Sequence, residues 1–135
     1  MRRSLLLLTT MALGVLMVSS GAQAASPRAT CLQEAQTLTG LDLTGYNIIV
    51  GNNKSADYFT GKGTEGGDVF CGRGGDDQID TLDAGDIFIG GAGNDTVGGS
   101  CSDVGGTTCI NYGTFYGGGG DDFVTYVGGT GYFEQ

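Results

Sequence analysis

The sequence has no histidine and no tryptophan, a single proline, and only 6 lysines and arginines against 15 aspartates and glutamates over 135 residues. Each shortage removes a class of function. Without histidine there is no imidazole to serve as a general base near neutral pH or as a zinc ligand. A formal charge of -9 repels a nucleic-acid backbone rather than holding it. One proline among 28 glycines that do not recur at every third position excludes a collagen-like helix.

The basic residues are also unevenly placed. Arg2 and Arg3 precede a mostly apolar run from Leu5 to Val18, and Ala22-Gln23-Ala24 supplies the small-x-small pattern of a signal-peptidase site. Residues 1–24 are expected to be a secretory signal, cut after Ala24. The apolar run falls short of the roughly 20 residues a membrane span needs, and the paired arginines leave the general and twin-arginine routes both open. The mature chain is then secreted, extracellular and without a membrane span. All four cysteines, Cys31, Cys71, Cys101 and Cys109, lie in it. An even number in an oxidising compartment suggests disulfides, with three pairings open. Their spacing contains no C-x-x-C knuckle, which argues against a zinc site.

The dominant signal is a repeat. Residues 63–134 divide without a gap into nines: GTEGGDVFC, GRGGDDQID, TLDAGDIFI, GGAGNDTVG, GSCSDVGGT, TCINYGTFY, GGGGDDFVT and YVGGTGYFE. The eighth place holds Phe70, Ile79, Phe88, Val97, Gly106, Phe115, Val124 and Phe133, apolar in all but one; the sixth holds Asp68, Asp77, Asp86, Asp95, Val104, Gly113, Asp122 and Gly131. A partial copy, Asn52 to Thr60, precedes them with Asp57 and Phe59 in place, offset by Gly61 and Lys62. Early glycines permit tight turns, and three following residues form a short strand whose middle side chain points inward. Two units then make one circuit, and circuits stack 18 residues apart into two parallel sheets sharing a thin core of eighth-place side chains.

Such stacking sets Asp68 against Asp86 and Asp77 against Asp95. A divalent cation between each pair offsets the repulsion of like charges. Calcium suits this setting best, because it accepts several oxygens in flexible geometry, including the carbonyls of glycine turns, whereas magnesium demands a stricter octahedron.

GRGGDDQID (72–80), GGAGNDTVG (90–98) and GGGGDDFVT (117–125) resemble the G-G-x-G-x-D-x-U-x repeat of the RTX, or haemolysin-type, calcium-binding family. The resemblance covers about residues 52–134. It implies an all-β fold, a right-handed parallel β-roll, with Ca2+ held between turns of adjacent circuits by sixth-place Asp and by carbonyls near Gly63, Gly66, Gly72, Gly74, Gly75, Gly90, Gly91 and Gly93. Carried onto this chain, one ion lies between Asp68 and Asp86 and another between Asp77 and Asp95, with Asp57 and Asp122 as further candidates. Val104 and Gly113 cannot supply a carboxylate, so both ladders are interrupted there. The apo chain is expected to be largely disordered, since its charge is high and glycine carries a large entropic cost.

In 18-residue stacking, the seventh and ninth places give one outer face Val69, Cys71, Ile87, Ile89 and Phe123, and the other Gln78, Asp80, Thr96, Tyr132 and Glu134. The first face is apolar and needs a cover or a partner. Residues 25–51, with Leu38, Leu41, Leu43, Ile48, Ile49 and Val50, are read as a capping segment over it. A Cys31–Cys71 bridge would hold that cover, leaving Cys101 to pair with Cys109. The other reading of the face is a docking surface for a protein or cell-surface partner.

The remaining motifs are weak. Gly61 to Gly66 matches G-x-G-x-x-G, but the following residues continue the nine-residue pattern instead of opening a helix. Adjacent acids such as Asp76 with Asp77 point apart, unlike the facing carboxylates of a glycosidase. The chain is therefore read as a binding module and not an enzyme.

Overall fold

The computed structural model describes residues 24–98 and 112–124 and the backbone of 133–134. Its first element, α1 (Pro27–Thr39), begins at a capping signal: the Ser26 hydroxyl accepts the Ala29 N–H at 3.2 Å, and Pro27 opens the first turn. Gly40, at φ 68°, closes it by donating its N–H to the Gln36 carbonyl at 2.9 Å. The all-β expectation is thereby corrected to mostly β with one helix. The apolar residues of 25–51 had pointed to a cover, whereas the caps at Ser26 and Gly40 decide its conformation. No described helix is long and apolar enough to cross a membrane.

The strands are β1 (Asn47–Val50), β2 (Asp68–Cys71), β3 (Gln78–Ile79), β4 (Ile87–Ala92), β5 (Thr96–Val97), β6 (Thr114–Gly119), β7 (Phe123–Val124) and β8 (Phe133–Glu134). They form two parallel sheets, one ordered β1-β2-β4-β6-β8 and the other β3-β5-β7. From β2 onward, consecutive strands alternate between the sheets. A strand of two to six residues cannot stand alone, so each depends on the neighbours its N–H and C=O groups bond.

Between the sheets lie Phe59, Phe70, Ile79, Leu82, Phe88, Val97 and Phe115, all buried. Six of these are eighth-place residues, which confirms the inward assignment of that place. Phe59 meets Phe70 and Phe88 edge-on with centroids 5.7 Å apart, and Phe88 stacks on Phe115 at 5.4 Å.

A second cluster lies on the outer surface of the larger sheet. Cys31 and Ala35 of α1 pack with Leu43 on Ile48, Val69, Cys71, Ile87 and Ile89. The Cys31–Cys71 disulfide, with Cα atoms 6.0 Å apart, ties the helix to β2. Arg28 Nη1 donates to the Ile48 carbonyl at 3.0 Å, on the edge of the first strand. The segment 25–51 is thus a cover in its first half, while β1 is itself the first strand of the larger sheet, in register Ile48 with Val69.

The stacking interval is not constant. It is 18 residues from β2 to β4 and from β3 to β5, but 27 from β5 to β7, and β4 pairs with β6 as Phe88 with Phe115. This corrects the uniform 18-residue scheme. Repeat five carries Gly106 where the pattern has an apolar side chain, and Phe115 of repeat six takes the place beside Phe88. Every later strand changes sheet as a result. Phe123 pairs with Thr96 and stands 58 % exposed on the smaller sheet, and Glu134 lies with Tyr116 on the larger. Val69, Ile87 and Ile89 are buried beneath α1, so these three and Phe123 do not form one open face. Residues 1–23 of the expected signal segment 1–24, the pair Cys101 and Cys109, and Tyr132 lie outside the described residues.

Candidate metal centres

The sixth-place aspartates stand at or just before the start of the strands and form two ladders. On the edge leading into the smaller sheet, the Asp57 N–H donates to Asp77 Oδ1 at 2.7 Å, the Asp77 N–H to Asp95 Oδ1 at 2.8 Å, and the Asp95 N–H to Asp122 Oδ1 at 2.9 Å. On the opposite edge, Asn47 Nδ2 donates to Asp68 Oδ1 at 2.8 Å and the Asp68 N–H donates to Asp86 Oδ1 at 2.9 Å. One oxygen of each carboxylate is therefore used to register one rung on the next, which a strand of two residues needs.

The second oxygens differ between the edges. Asp68 Oδ2 accepts the Thr64 N–H at 2.6 Å, and Asp86 Oδ2 accepts the Asp83 N–H at 3.0 Å. The Thr64 hydroxyl also bonds both Asp68 oxygens at 3.2 Å. Asp57 Oδ2 takes the Asn52 N–H. Asp77, Asp95 and Asp122, by contrast, each bury an Oδ2 that has no hydrogen-bond partner. Leaving a carboxylate oxygen buried and unpartnered is costly, and a water, a proton or a cation held there would relieve that cost.

Glycine makes room for these oxygens. A Cβ at Gly72 would lie 2.0 Å from Asp77 Oδ2, one at Gly90 2.0 Å from Asp95 Oδ2, and one at Gly117 2.0 Å from Asp122 Oδ2. None of the three has a left-handed φ, so at the first place it is space and not backbone freedom that demands glycine. The carbonyls of Gly75 and Gly93 face the neighbouring rung, where a Cβ at Gly93 or Gly120 would come within 2.1 or 1.9 Å of them. The carbonyls of Gly72 and Gly90 face the preceding rung, against Gly51 and Gly72, and that of Gly91 faces the following one, against Gly118. Gly74 packs on the Asn53 carbonyl, Gly63 sits over Asp68 Oδ2, and Gly66 donates its N–H to the Thr64 hydroxyl.

Burial dominates the electrostatics. It pushes the Asp95 carboxyl up to about 6, against the lowering by the Asp77 N–H and with further raising by the charges of Asp77, Asp122 and Asp76. Burial raises Asp77 and Asp86 as well. The fold thus holds carboxylates where ionisation is disfavoured unless positive charge is supplied.

Among the described residues no three acidic, histidine or cysteine side chains converge on one point. A cation here would draw most of its ligands from main-chain carbonyls. The donor set, carboxylate oxygen with peptide oxygen and no nitrogen or sulfur, fits calcium and not a transition metal. Between the turns at 61–64 and 81–86 lies a cavity of about 140 Å³ lined by Thr64, Thr81, Asp83 and Asp86 together with Phe59, Phe70 and Ile79.

Sequence reasoning missed part of this arrangement. Asn47 stands at the head of the Asp68 ladder, outside the repeat, and no nine-residue period could have found it. A parallel outer ladder runs at the fifth place, with the Asn94 N–H donating to Asp76 Oδ1 at 2.8 Å and the Asp121 N–H to Asn94 Oδ1 at 2.9 Å. Its signal was present in the Asp, Asn, Asp sequence of that column. No family model, curated protein or solved structure matches the chain.

Proposed function

We propose that this chain is a secreted, calcium-binding β-roll, in which Ca2+ held between adjacent rungs neutralises the carboxylate ladders and stabilises the fold. The observation that carries the reading is the set of buried, partnerless Oδ2 atoms of Asp77 and Asp95, stacked 18 residues apart and each seated against the first-place glycine of its own turn. When bound, the ion supplies positive charge to oxygens that water cannot reach. The residues themselves register the rungs through Oδ1 and hold Oδ2 ready. A right-handed roll, secretion through residues 1–24, and the absence of catalysis complete the reading, supported by the alternation of strands between two sheets and by the nine-residue repeat.

Far-UV circular dichroism of the oxidised chain, titrated with calcium from a chelated start and with magnesium as control, tests it. A calcium-specific gain of sheet signal in the range of extracellular calcium, about 0.1 to 1 mM for such modules, is expected. A spectrum unchanged by calcium, with no ion retained on dialysis, would overturn the proposal.

A further inference from the structure

Resting on the calcium reading, we infer that ions bind along one edge only, between Asp77 and Asp95 and between Asp95 and Asp122, while the Asp68–Asp86 edge is built to stand without one. The second of these sites owes its existence to the 27-residue register between β5 and β7.

The two edges are not equivalent in chemistry. Asp68 receives the Asn47 side-chain amide, the Thr64 N–H and the Thr64 hydroxyl, so both of its oxygens are satisfied by neutral donors. Asp86 receives one N–H on each oxygen. The turn before Asp86 opens with Thr81 and Leu82 in place of two glycines, and Leu82 is buried in the core. The cavity beside it is lined by Phe59, Phe70 and Ile79 as well as by Thr64, Thr81, Asp83 and Asp86, and the Oδ2 atoms of Asp68 and Asp86 are already held by the Thr64 and Asp83 N–H groups.

The opposite edge repeats one motif three times. Gly72 with Asp77, Gly90 with Asp95 and Gly117 with Asp122 have the same 2.0 Å relation between the missing Cβ and Oδ2, and all three Oδ2 atoms are buried without partners. Asp77 and Asp95 are 1 % and 0 % exposed. Stacking at 18 residues would have set Asp122 on the other ladder, beside the gaps left by Val104. The 27-residue register instead delivers Asp122 directly beneath Asp95. Two divalent ions then balance the four carboxylates of Asp57, Asp77, Asp95 and Asp122.

Calcium bound at saturation is counted by equilibrium dialysis on the oxidised wild-type chain and on Asp122→Asn and Asp86→Asn, and ions are located in the wild type by anomalous diffraction from calcium-grown crystals. The expected result is two ions in the wild type, one in Asp122→Asn and two in Asp86→Asn, with anomalous peaks beside Asp95 on both sides. The diffraction arm stands even where a variant fails to fold. A peak between Asp68 and Asp86, or none between Asp95 and Asp122, overturns the inference and leaves the calcium reading intact. A wild type that binds no calcium overturns both.

Discussion

Adding one methyl group to Gly90 and one to Gly66 separates a glycine that seats a carboxylate from one that no contact requires. At Gly90 the backbone φ is one any residue adopts, but the new Cβ would lie 2.0 Å from Asp95 Oδ2, 2.5 Å from Cγ and 2.8 Å from Cβ of the same side chain. No rotation of the methyl relieves a contact with three atoms of a buried group. Overpacking of this kind costs about 1–3 kcal/mol. Swinging the carboxylate aside also breaks the 2.8 Å bond from the Asp77 N–H, and a hydrogen bond to a charged group contributes about 1.5–3 kcal/mol. Gly90→Ala should therefore lose about 3–6 kcal/mol, enough to unfold much of a small domain whose whole stability is about 5–15 kcal/mol. At Gly66 the nearest atom to a new Cβ is the Thr64 hydroxyl at 3.8 Å, an ordinary contact, and φ is again permissive. Gly66→Ala should gain about 0.4–1 kcal/mol by restricting the unfolded chain. Urea unfolding of both variants and the wild type, oxidised and in saturating calcium, measures the difference. Equal destabilisation at the two positions, or a harmless Gly90→Ala, would refute the claim that first-place glycines exist to seat a carboxylate oxygen.

Three further outcomes follow from individual contacts. In chelator, the raised Asp95 carboxyl makes the native state bind its proton more readily than the unfolded chain, so the destabilisation is fully present above about pH 6 and is relieved as pH falls toward 4; the sheet signal of the metal-free chain should rise on acidification, whereas the melting temperature of the calcium-loaded chain should fall as protons displace the ion. Reducing Cys31–Cys71, separated by 40 residues, should cost about 4 kcal/mol and expose the apolar strip under α1, read as increased dye binding and proteolysis within residues 27–39; a reduced chain with an unchanged melt would show that packing alone holds the helix. Arg73 adopts φ 78° at the second place of its repeat, where Gly91 and Gly118 adopt 108° and 101°, so Arg73→Gly should stabilise by about 1 kcal/mol in the same urea assay.

Much of the fold was legible because the repeat itself carries the physics. One apolar residue in nine, at Phe70, Ile79, Phe88 and Val97, can be buried only if successive units stack, and stacking forces the aspartates two places earlier into rows. The pairing of Cys31 with Cys71 was legible for a related reason, since both the apolar outer strip and the only upstream segment able to cover it were written in the chain. What was missed lies where local pattern underdetermines a choice. Repeat five fails at Gly106 and Val104, and a failed repeat can either keep its place as a poor strand or be skipped. The structure places Phe115 beside Phe88, where the two rings stack with centroids 5.4 Å apart. Phe123, Asp122 and Glu134 all change sides in consequence.

By itself, then, the amino-acid sequence determined the strand period, the inward column of apolar residues and the carboxylate type at each turn, since these depend on residues within one nine-residue unit. The tertiary structure decided which carboxylates meet, which of their oxygens are satisfied and which are not. Asp86 and Asp95 are the same residue at the same place in the repeat. One finds its second oxygen answered by the Asp83 N–H, and the other finds it buried over Gly90 with no donor in reach. Asp83 and Asp86 share one repeat and Gly90 and Asp95 the next, so the difference lies in how each turn folds against its own carboxylate, which residue type and spacing alone do not specify.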